Sequence, residues 1–388
     1  MDRTNFGFGL AAGLQKDLHI NHKQADWLNA LFFLGYFTFQ IPGVYAAVRS
    51  ARRLIFWCLL LWGALAAATG IVTNLRWLML IRFLLGVVEG AVFPSMIVLL
   101  NRWFIRSERS RANSLLIFGN PITFIWMSIV SGYLIHALGW RWMFIIEGIP
   151  AMAWAFCWLY LVEDHPEKAI WMSPQESAAL QSTIAGEQQG IPPVRNLIDA
   201  FLSPKVWVLC LIYAFWSLGV YGLALWLPSI LLHAPGVDII GIGWLNTIPY
   251  FLAIIAMMAT SWFSDSSGNR KLAVWPFLLL GAISFYCSWL YGPDHFWLSY
   301  TLLCLAGLSM YAPYGPFFAL IAEILPANVA PGGIALINSM GALGAAIGIY
   351  FVGVLSGSAG NFRSAYMLLA ASLLLAALLA MTLRLRPR

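Results

Sequence analysis

Charge is scarce in this chain. Asp, Glu, Lys and Arg make up 10% of its 388 residues, against roughly 25% in an average soluble domain, while 61% are hydrophobic. A single soluble core has no room for so much apolar side chain, so the bilayer is the expected solvent. Paired cysteines are lacking. Cys58, Cys157, Cys210, Cys287 and Cys304 stand singly inside apolar runs, with no CxxC, so neither a disulfide framework nor a thiolate metal site is suggested. Histidine is missing from the middle of the apolar runs: His19, His22, His136, His165, His233 and His295 fall in loops or near run ends, which argues against haem ligation in a membrane. Neither a GxxxxGK phosphate loop nor a paired Asp-rich motif is present. No stripe of Lys and Arg interleaved with aromatics occurs, so the formal charge of +6 is not a nucleic-acid footprint. An apolar signal core is absent at the amino terminus, where Asp2 and Arg3 stand instead. Together these absences argue against an enzyme and imply no cofactor and no metal.

What is there is a series of long apolar runs. A spanning helix needs about 20 mostly apolar residues. Eleven runs qualify: 26–48, 54–73, 77–100, 112–136, 142–162, 206–232, 241–263, 272–291, 297–320, 332–356 and 362–384. Before them lies Asn5 to Leu14, too short to span and followed by a polar loop from Lys16 to Asp26. The simplest reading makes it the second half of a first helix, with roughly one to two dozen upstream residues missing. A short interfacial or re-entrant start is the alternative.

Orientation follows from the Lys/Arg bias of the loops. One set of loops carries fifteen basic residues, from Arg49, Arg52 and Arg53 through Arg270 and Lys271 to the last arginines. The opposite set carries five: Lys16, Lys23, Arg76, Arg141 and Arg363. The first set is expected to be cytoplasmic, together with both termini. The longest polar segment, 163–205, divides the spans six and six, so the expected organisation is an amino-terminal half at 1–162, a cytoplasmic central loop with one amphipathic turn at most, and a carboxyl-terminal half at 206–388. Two six-span halves around a midplane cavity form a recurring transporter plan.

A few charges remain inside the spans. A charge at the bilayer centre costs about 2.5–3.5 kcal/mol on insertion scales, so such residues mark pathways by default. Glu89 lies midway between Arg76 and Arg102, which flank its span. Arg82 precedes it by seven positions, which returns to nearly the same helical face about 10 Å away. Asp2 and Arg3 lie about 18 Å before the outer end of the first span, again near the middle. Burial raises a carboxylate's pKa and a nearby arginine lowers it. A carboxylate whose arginine neighbour can be taken by an anionic substrate is therefore a natural proton carrier. Asp2 and Glu89 are candidates for proton coupling. Arg3 is a candidate for holding a substrate carboxylate, or Asp2, through its guanidinium fork. Arg82 is a candidate substrate ligand or an interhelical clamp, and static ion pairing is the plainer alternative for the others. Glu108 is expected in a cytoplasmic turn and Glu147 at a helix end.

Blocks along the whole chain resemble the anion:cation symporter family of the major facilitator superfamily. They include Asp2-Arg-Thr-Asn-Phe-Gly-Phe8, Gly35-Tyr-Phe-Thr-Phe-Gln-Ile-Pro-Gly43, Arg82-Phe-Leu-Leu-Gly-Val-Val-Glu-Gly90 and Gly139-Trp-Arg-Trp-Met-Phe-Ile-Ile-Glu-Gly148. Asp164-His-Pro166 and Ala335-Leu-Ile-Asn-Ser-Met-Gly341 belong to the same series. The resemblance implies an all-α membrane protein with the two-half major facilitator fold, working by alternating access as a monomer in the inner membrane. The implied cargo is a small organic anion, a sugar acid or a tartrate-like acid, carried with protons. An aromatic-acid transporter, or an uncoupled facilitator or exchanger, are the alternatives. Acidic positions matching Asp2 and Glu89 couple protons in such relatives. The resemblance also implies substrate contacts for Tyr36 and Asn338; Tyr221 is a further candidate, and Asn120, Asn246, Tyr311 and Tyr314 are weaker ones. Two departures stand out. The turn after the second helix resembles a Gly-x-x-x-Asp-Arg-x-Gly-Arg-Arg gate signature, but Val48 stands where its aspartate should be and one residue is missing near Ser50. Ile122 stands where relatives often have glutamine. The second copy of the gate signature, at Asp265, Gly268 and Arg270, looks intact.

Overall fold

The computed structural model describes residues 6, 9–188, 203–231, 235–236, 239–326, 328–356 and 363–383. Among the described residues the regular elements are all helical. A π-helical turn, Leu10–Leu14, runs into Gln15–Asp17. The longer helices are α1 (His22–Ile71), α2 (Leu75–Trp103), α3 (Arg109–Ile117), α4 (Gly119–Leu161), α5 (Pro174–Gln188) and α6 (Pro204–Leu231). They continue as α7 (Ile239–Ser267), α8 (Trp275–Tyr291), α9 (Phe296–Tyr311), α10 (Tyr314–Ile324), α11 (Ala330–Ser356) and α12 (Arg363–Thr382).

Helix lengths are set against the membrane. At 50 residues α1 would be about 75 Å long if straight, more than twice the ~30 Å hydrocarbon core. It breaks at Ser50, where φ and ψ are −159° and 98°, between the expected runs 26–48 and 54–73. The 43-residue α4 breaks at Gly139, whose φ of 83° and ψ of 168° suit a residue without Cβ. Eight segments of the described residues are long and apolar enough to cross a bilayer, and Trp275–Tyr291 is a shorter apolar helix. Large apolar side chains point outward along them, among them Trp57, Phe156, Phe251 and Tyr350. A water-facing exterior would not carry such a surface; acyl chains accept it.

The chain divides into two compact units, residues 1–103 with 125–183, and residues 104–124 with 184–388. In the first, the arm of α1 before Ser50 lies hard against α2. A Cβ on Gly35 would stand 2.2 Å from the Phe83 carbonyl oxygen, and one on Gly86 would stand 2.0 Å from that of Phe32. Small residues let the two backbones touch, as in other membrane helix pairs. The arm after Ser50 packs on the last arm of α4, where Gly63 meets Gly148. Arg141 ties the far end of that pair by donating to the Gly70 and Val72 carbonyls at 3.2 and 2.9 Å. In the second unit, α6 lies against α11 through Gly341, Gly344 and Gly348, and against α12 through Gly219 and Gly222.

The central segment is more regular than its composition suggests. Where a single amphipathic turn is expected at most, α5 runs for 15 residues. Pro174 begins it, and Ser173 and Glu176 form a reciprocal cap: the Glu176 carboxylate accepts from the Ser173 amide and hydroxyl at 3.0 and 2.8 Å, while the Glu176 amide donates to the Ser173 hydroxyl. Proline at the start and a capping box satisfy the free first-turn amides.

Candidate functional site

Three groups of side chains are candidates for the functional site. The first lies in α2 and the arm of α1 beside it. Arg82 is 2% exposed, and its guanidinium carbon sits 4.1 Å from the Phe6 ring centroid and 4.8 Å from that of Phe32. An aromatic face attracts a cation most strongly where water is excluded. Glu89 follows two turns later and is half-buried. Gly86 between them and Gly90 just after Glu89 bring the α2 backbone against the Tyr36 backbone. Tyr36 is buried, stacks on Phe32 at 6.2 Å, and is followed by the fully buried Gln40. Arg82, Glu89 and Tyr36 are thus gathered at one helix contact. Asp2 and Arg3 lie outside the described residues. Glu147 accepts from the Ser131 hydroxyl at 2.9 Å within α4.

The second group is aromatic and belongs to the second unit. Trp216 of α6 is fully buried and donates to the Met310 carbonyl at 2.8 Å. Its ring lies 4.3 Å from that of Tyr314, which neighbours Tyr311 at 5.6 Å, and Tyr311 neighbours Tyr250 at 6.2 Å. Tyr221 is half-buried on the same helix as Trp216, and Asn338 is buried one turn before Gly341. A small recess beside Tyr250 and Tyr311 is otherwise lined by apolar groups such as Val220, Leu223, Pro249 and Met310.

The third group is ionic and lies where basic turns meet helix ends in the second unit. Arg270 is 1% exposed. It donates to Asp265 at 2.5 Å, to Glu323 at 3.0 Å, to the Ser264 hydroxyl at 3.0 Å and to the Arg106 carbonyl. Asp265 in turn accepts from the Ser110 and Arg111 amides at 3.2 and 3.0 Å and from the Arg111 side chain at 3.1 Å. Those amides open α3, whose own N-cap residue, the exposed Glu108, provides no cap. An anion supplied by α7 therefore takes the place of a local cap at a helix start. Gly268 turns the chain between Asp265 and Arg270 at φ 63°, a conformation that favours glycine. Arg106 adds a 2.7 Å pair with Glu323, and Ser114 bonds Ser261 at 2.5 Å. Asp265, Gly268 and Arg270 are brought together as their spacing suggests. Glu323 and the arginines Arg106 and Arg111 are additions that only the fold reveals.

The altered turn at Val48 has a carboxylate after all, supplied from elsewhere in the first unit. Asp164 accepts from the Ser50 hydroxyl at 2.6 Å and the Arg52 amide at 2.9 Å. Arg52 pairs with Glu163 at 2.8 Å and donates to the Leu159 carbonyl near the end of α4. Arg102 donates to the Val48 carbonyl at 2.7 Å. The Asp164-His-Pro block thus serves the turn that lacks its own aspartate.

Among the described residues no cluster of His, Cys, Asp and Glu could hold a metal ion. An arrangement of apolar, glycine-paired helices with charges at a midspan contact and at basic turns can bind and pass a solute. A family profile described as Major Facilitator Superfamily matches residues 1–241 and 209–388, and the chain belongs to that superfamily: it is a multi-pass membrane transporter of small molecules, not an enzyme. It is 30% identical to the "Putative tartrate transporter" of Agrobacterium vitis, over 99% of this chain and 86% of that protein. It is 29% identical to the quinolone resistance transporter of Acinetobacter baumannii, over 86% of this chain and 79% of that one. Its fold is similar to that of the proton:xylose symporter XylE, with a TM-score of 0.74, 16% identity and coverage of 97% of this chain and 90% of that one.

Proposed function

We propose that this chain is a proton-coupled symporter that carries a small organic anion, a sugar acid such as a hexonate or a tartrate-like acid, into the cell across the inner membrane. The observation that supports it most is Arg82, held at 2% exposure between two aromatic rings in the same apolar helix as Glu89. A cation and a carboxylate at that depth would be costly without a task. In this reading a substrate carboxylate draws arginine charge away from Glu89, and Glu89 then takes up a proton because its charged form has lost its support. Asp2 and Arg3 would do the same from the first helix, and Tyr36, Tyr221 and Asn338 would contact the cargo. The name of the Agrobacterium relative favours tartrate-like cargo.

In the same reading, halves at 1–162 and 206–388 are joined by a cytoplasmic segment at 163–205, both termini are cytoplasmic, and the transporter works as a monomer. The Asp265, Arg270 and Glu323 cluster would then be the cytoplasmic gate, with α3 of the first half held against α7 and α10 of the second. A second reading, an aromatic-acid substrate, is favoured by the rings of Tyr250, Tyr311, Tyr314 and Trp216. Uptake of labelled tartrate and of labelled hexonate into proteoliposomes, with and without a protonophore, tests the proposal. We expect accumulation that collapses with the pH gradient and is inhibited by hydroxy acids. Uptake indifferent to the gradient would replace symport with facilitated passage; inhibition by phthalate alone would favour the second reading.

A further inference from the structure

Apart from Glu187, the charges of the ionic cluster come from the turn before α3, from α3 itself, from the turn after α7, and from the ends of α7 and α10. Glu187 stands in the last turn of α5, in the central segment, and reaches the turn between α2 and α3. Its two oxygens are divided between two donors. One accepts the Arg106 amide at 2.6 Å, and the other accepts from the Arg109 guanidinium at 3.1 Å. Arg109 is 3% exposed. The same terminal nitrogen also donates to the Phe104 carbonyl at 3.0 Å, and the buried Nε has no hydrogen-bond partner. Burial lowers the pKa of this guanidinium, whereas Glu187 and Glu323 raise it and Arg270 lowers it again. An adjacent anion therefore favours its charged form.

The receiving groups owe their shape to residues other than Glu187. Phe104 to Arg109 form a tight turn in which the Glu108 and Arg109 amides both donate to the Ile105 carbonyl at 3.0 Å. Arg106 is anchored by its pair with Glu323 and by its carbonyl, which accepts from Arg270. Removing the Glu187 carboxylate leaves Arg106, Arg109, Arg111 and Arg270 facing Asp265 and Glu323, an excess of positive charge around one amide and one buried guanidinium. A two-oxygen planar anion is the ligand such a pair of donors fits.

We infer that the Arg106 amide and the Arg109 guanidinium form a carboxylate-binding site which Glu187 fills, and that a small free carboxylate occupies it when Glu187 is withdrawn. The site shares no residue with the contact of Arg82 and Glu89 and does not depend on what the protein carries. Because the site closes on a residue of the central segment, it couples the position of that segment to the turn that carries Arg106 and α3.

Hydrogen–deuterium exchange on the full chain in lipid nanodiscs reads the site directly, through peptides covering residues 104–112. Glu187→Ala is compared with the unaltered protein and with Glu187→Asp, each in sodium acetate or in sodium chloride at the same ionic strength. We expect exchange in Glu187→Ala to rise by about tenfold or more, acetate to restore most of the protection, and chloride to restore little. Glu187→Asp should fall between the two, and the unaltered protein should ignore acetate. Glu187→Gln is read in the same way should the alanine variant not fold. Unchanged exchange on removing the carboxylate would overturn the inference. So would equal effects of acetate and chloride, since that is general screening and not a site.

Discussion

Asp265→Asn removes one charge from the ionic cluster while preserving size. The magnitude follows from burial. The Asp265 and Arg270 side chains are 3% and 1% exposed, and removing one partner of a buried pair costs about 3–5 kcal/mol because the other charge is left behind. The pair with Arg111 contributes far less, since the Arg111 side chain is 46% exposed and such pairs are worth about 0–1 kcal/mol. Asparagine keeps one oxygen for the Ser110 or Arg111 amide, and Glu323 still faces Arg270. A net loss of about 3 kcal/mol, a factor of roughly 150 at 1.36 kcal/mol per tenfold, is therefore expected in the equilibrium that holds α3 against α7 and α10. Hydrogen exchange of residues 104–117 and 261–272 should accelerate by that order. Arg111→Ala, which removes only the exposed partner, should change it less than about fivefold. Equal effects of the two substitutions would refute the reasoning from burial.

Gly86→Ala places a Cβ 2.0 Å from the Phe32 carbonyl oxygen, with backbone atoms on both sides and no flexible side chain to yield. We expect a lowered unfolding temperature and weakened substrate binding through displaced Arg82, whereas Gly132→Ala, with nothing within 4 Å, should be neutral or slightly stabilising in its helix. Trp216→Phe leaves the buried Met310 carbonyl without its donor and should lower stability by about 1–3 kcal/mol, read by thermal unfolding. The Ser173 hydroxyl and amide hold the Glu176 carboxyl below its usual range. A depressed folded pKa gives a contribution present above the unfolded pKa and lost as pH falls through the folded one, so the first turn of α5 should fray on acidification. Ser173→Ala should return the Glu176 titration, followed by carboxyl-carbon NMR, toward the ordinary value.

The helices and their ends could be read from the sequence because the apolar runs stop at charges, prolines and glycines that the bilayer does not admit. Nine of the eleven expected runs fall on one described helix each, and the breaks inside α1 and α4 come where Ser50 and Gly139 separate two runs. Runs 112–136 and 297–320 are instead each divided between two helices, α3 with α4 and α9 with α10. The grouping of Asp265, Gly268 and Arg270 was legible because the three lie within one turn. Their outer partners were not: Glu323 lies 53 positions from Arg270 and 217 from Arg106, and nothing local announces such a contact. Asp164 likewise bonds Ser50 across 114 positions, so the carboxylate at the turn where Val48 replaces aspartate comes from a part of the chain that no local pattern points to. The aromatic seat of Arg82 depends on Phe6 and Phe32, which only helix packing brings to it. α5 was missed because the glycines and prolines after it dominate the composition of the central segment, while its cap rests on Ser173 and Glu176 alone.

The most direct test concerns Glu89. Purified protein and Glu89→Gln are reconstituted into liposomes, and labelled tartrate accumulation is measured under an imposed inward proton gradient beside counterflow exchange without one. We expect the variant to lose accumulation above equilibrium while retaining exchange, with Arg82→Lys weakening apparent affinity instead. A Glu89→Gln protein that concentrates tartrate as well as the unaltered protein would contradict the account.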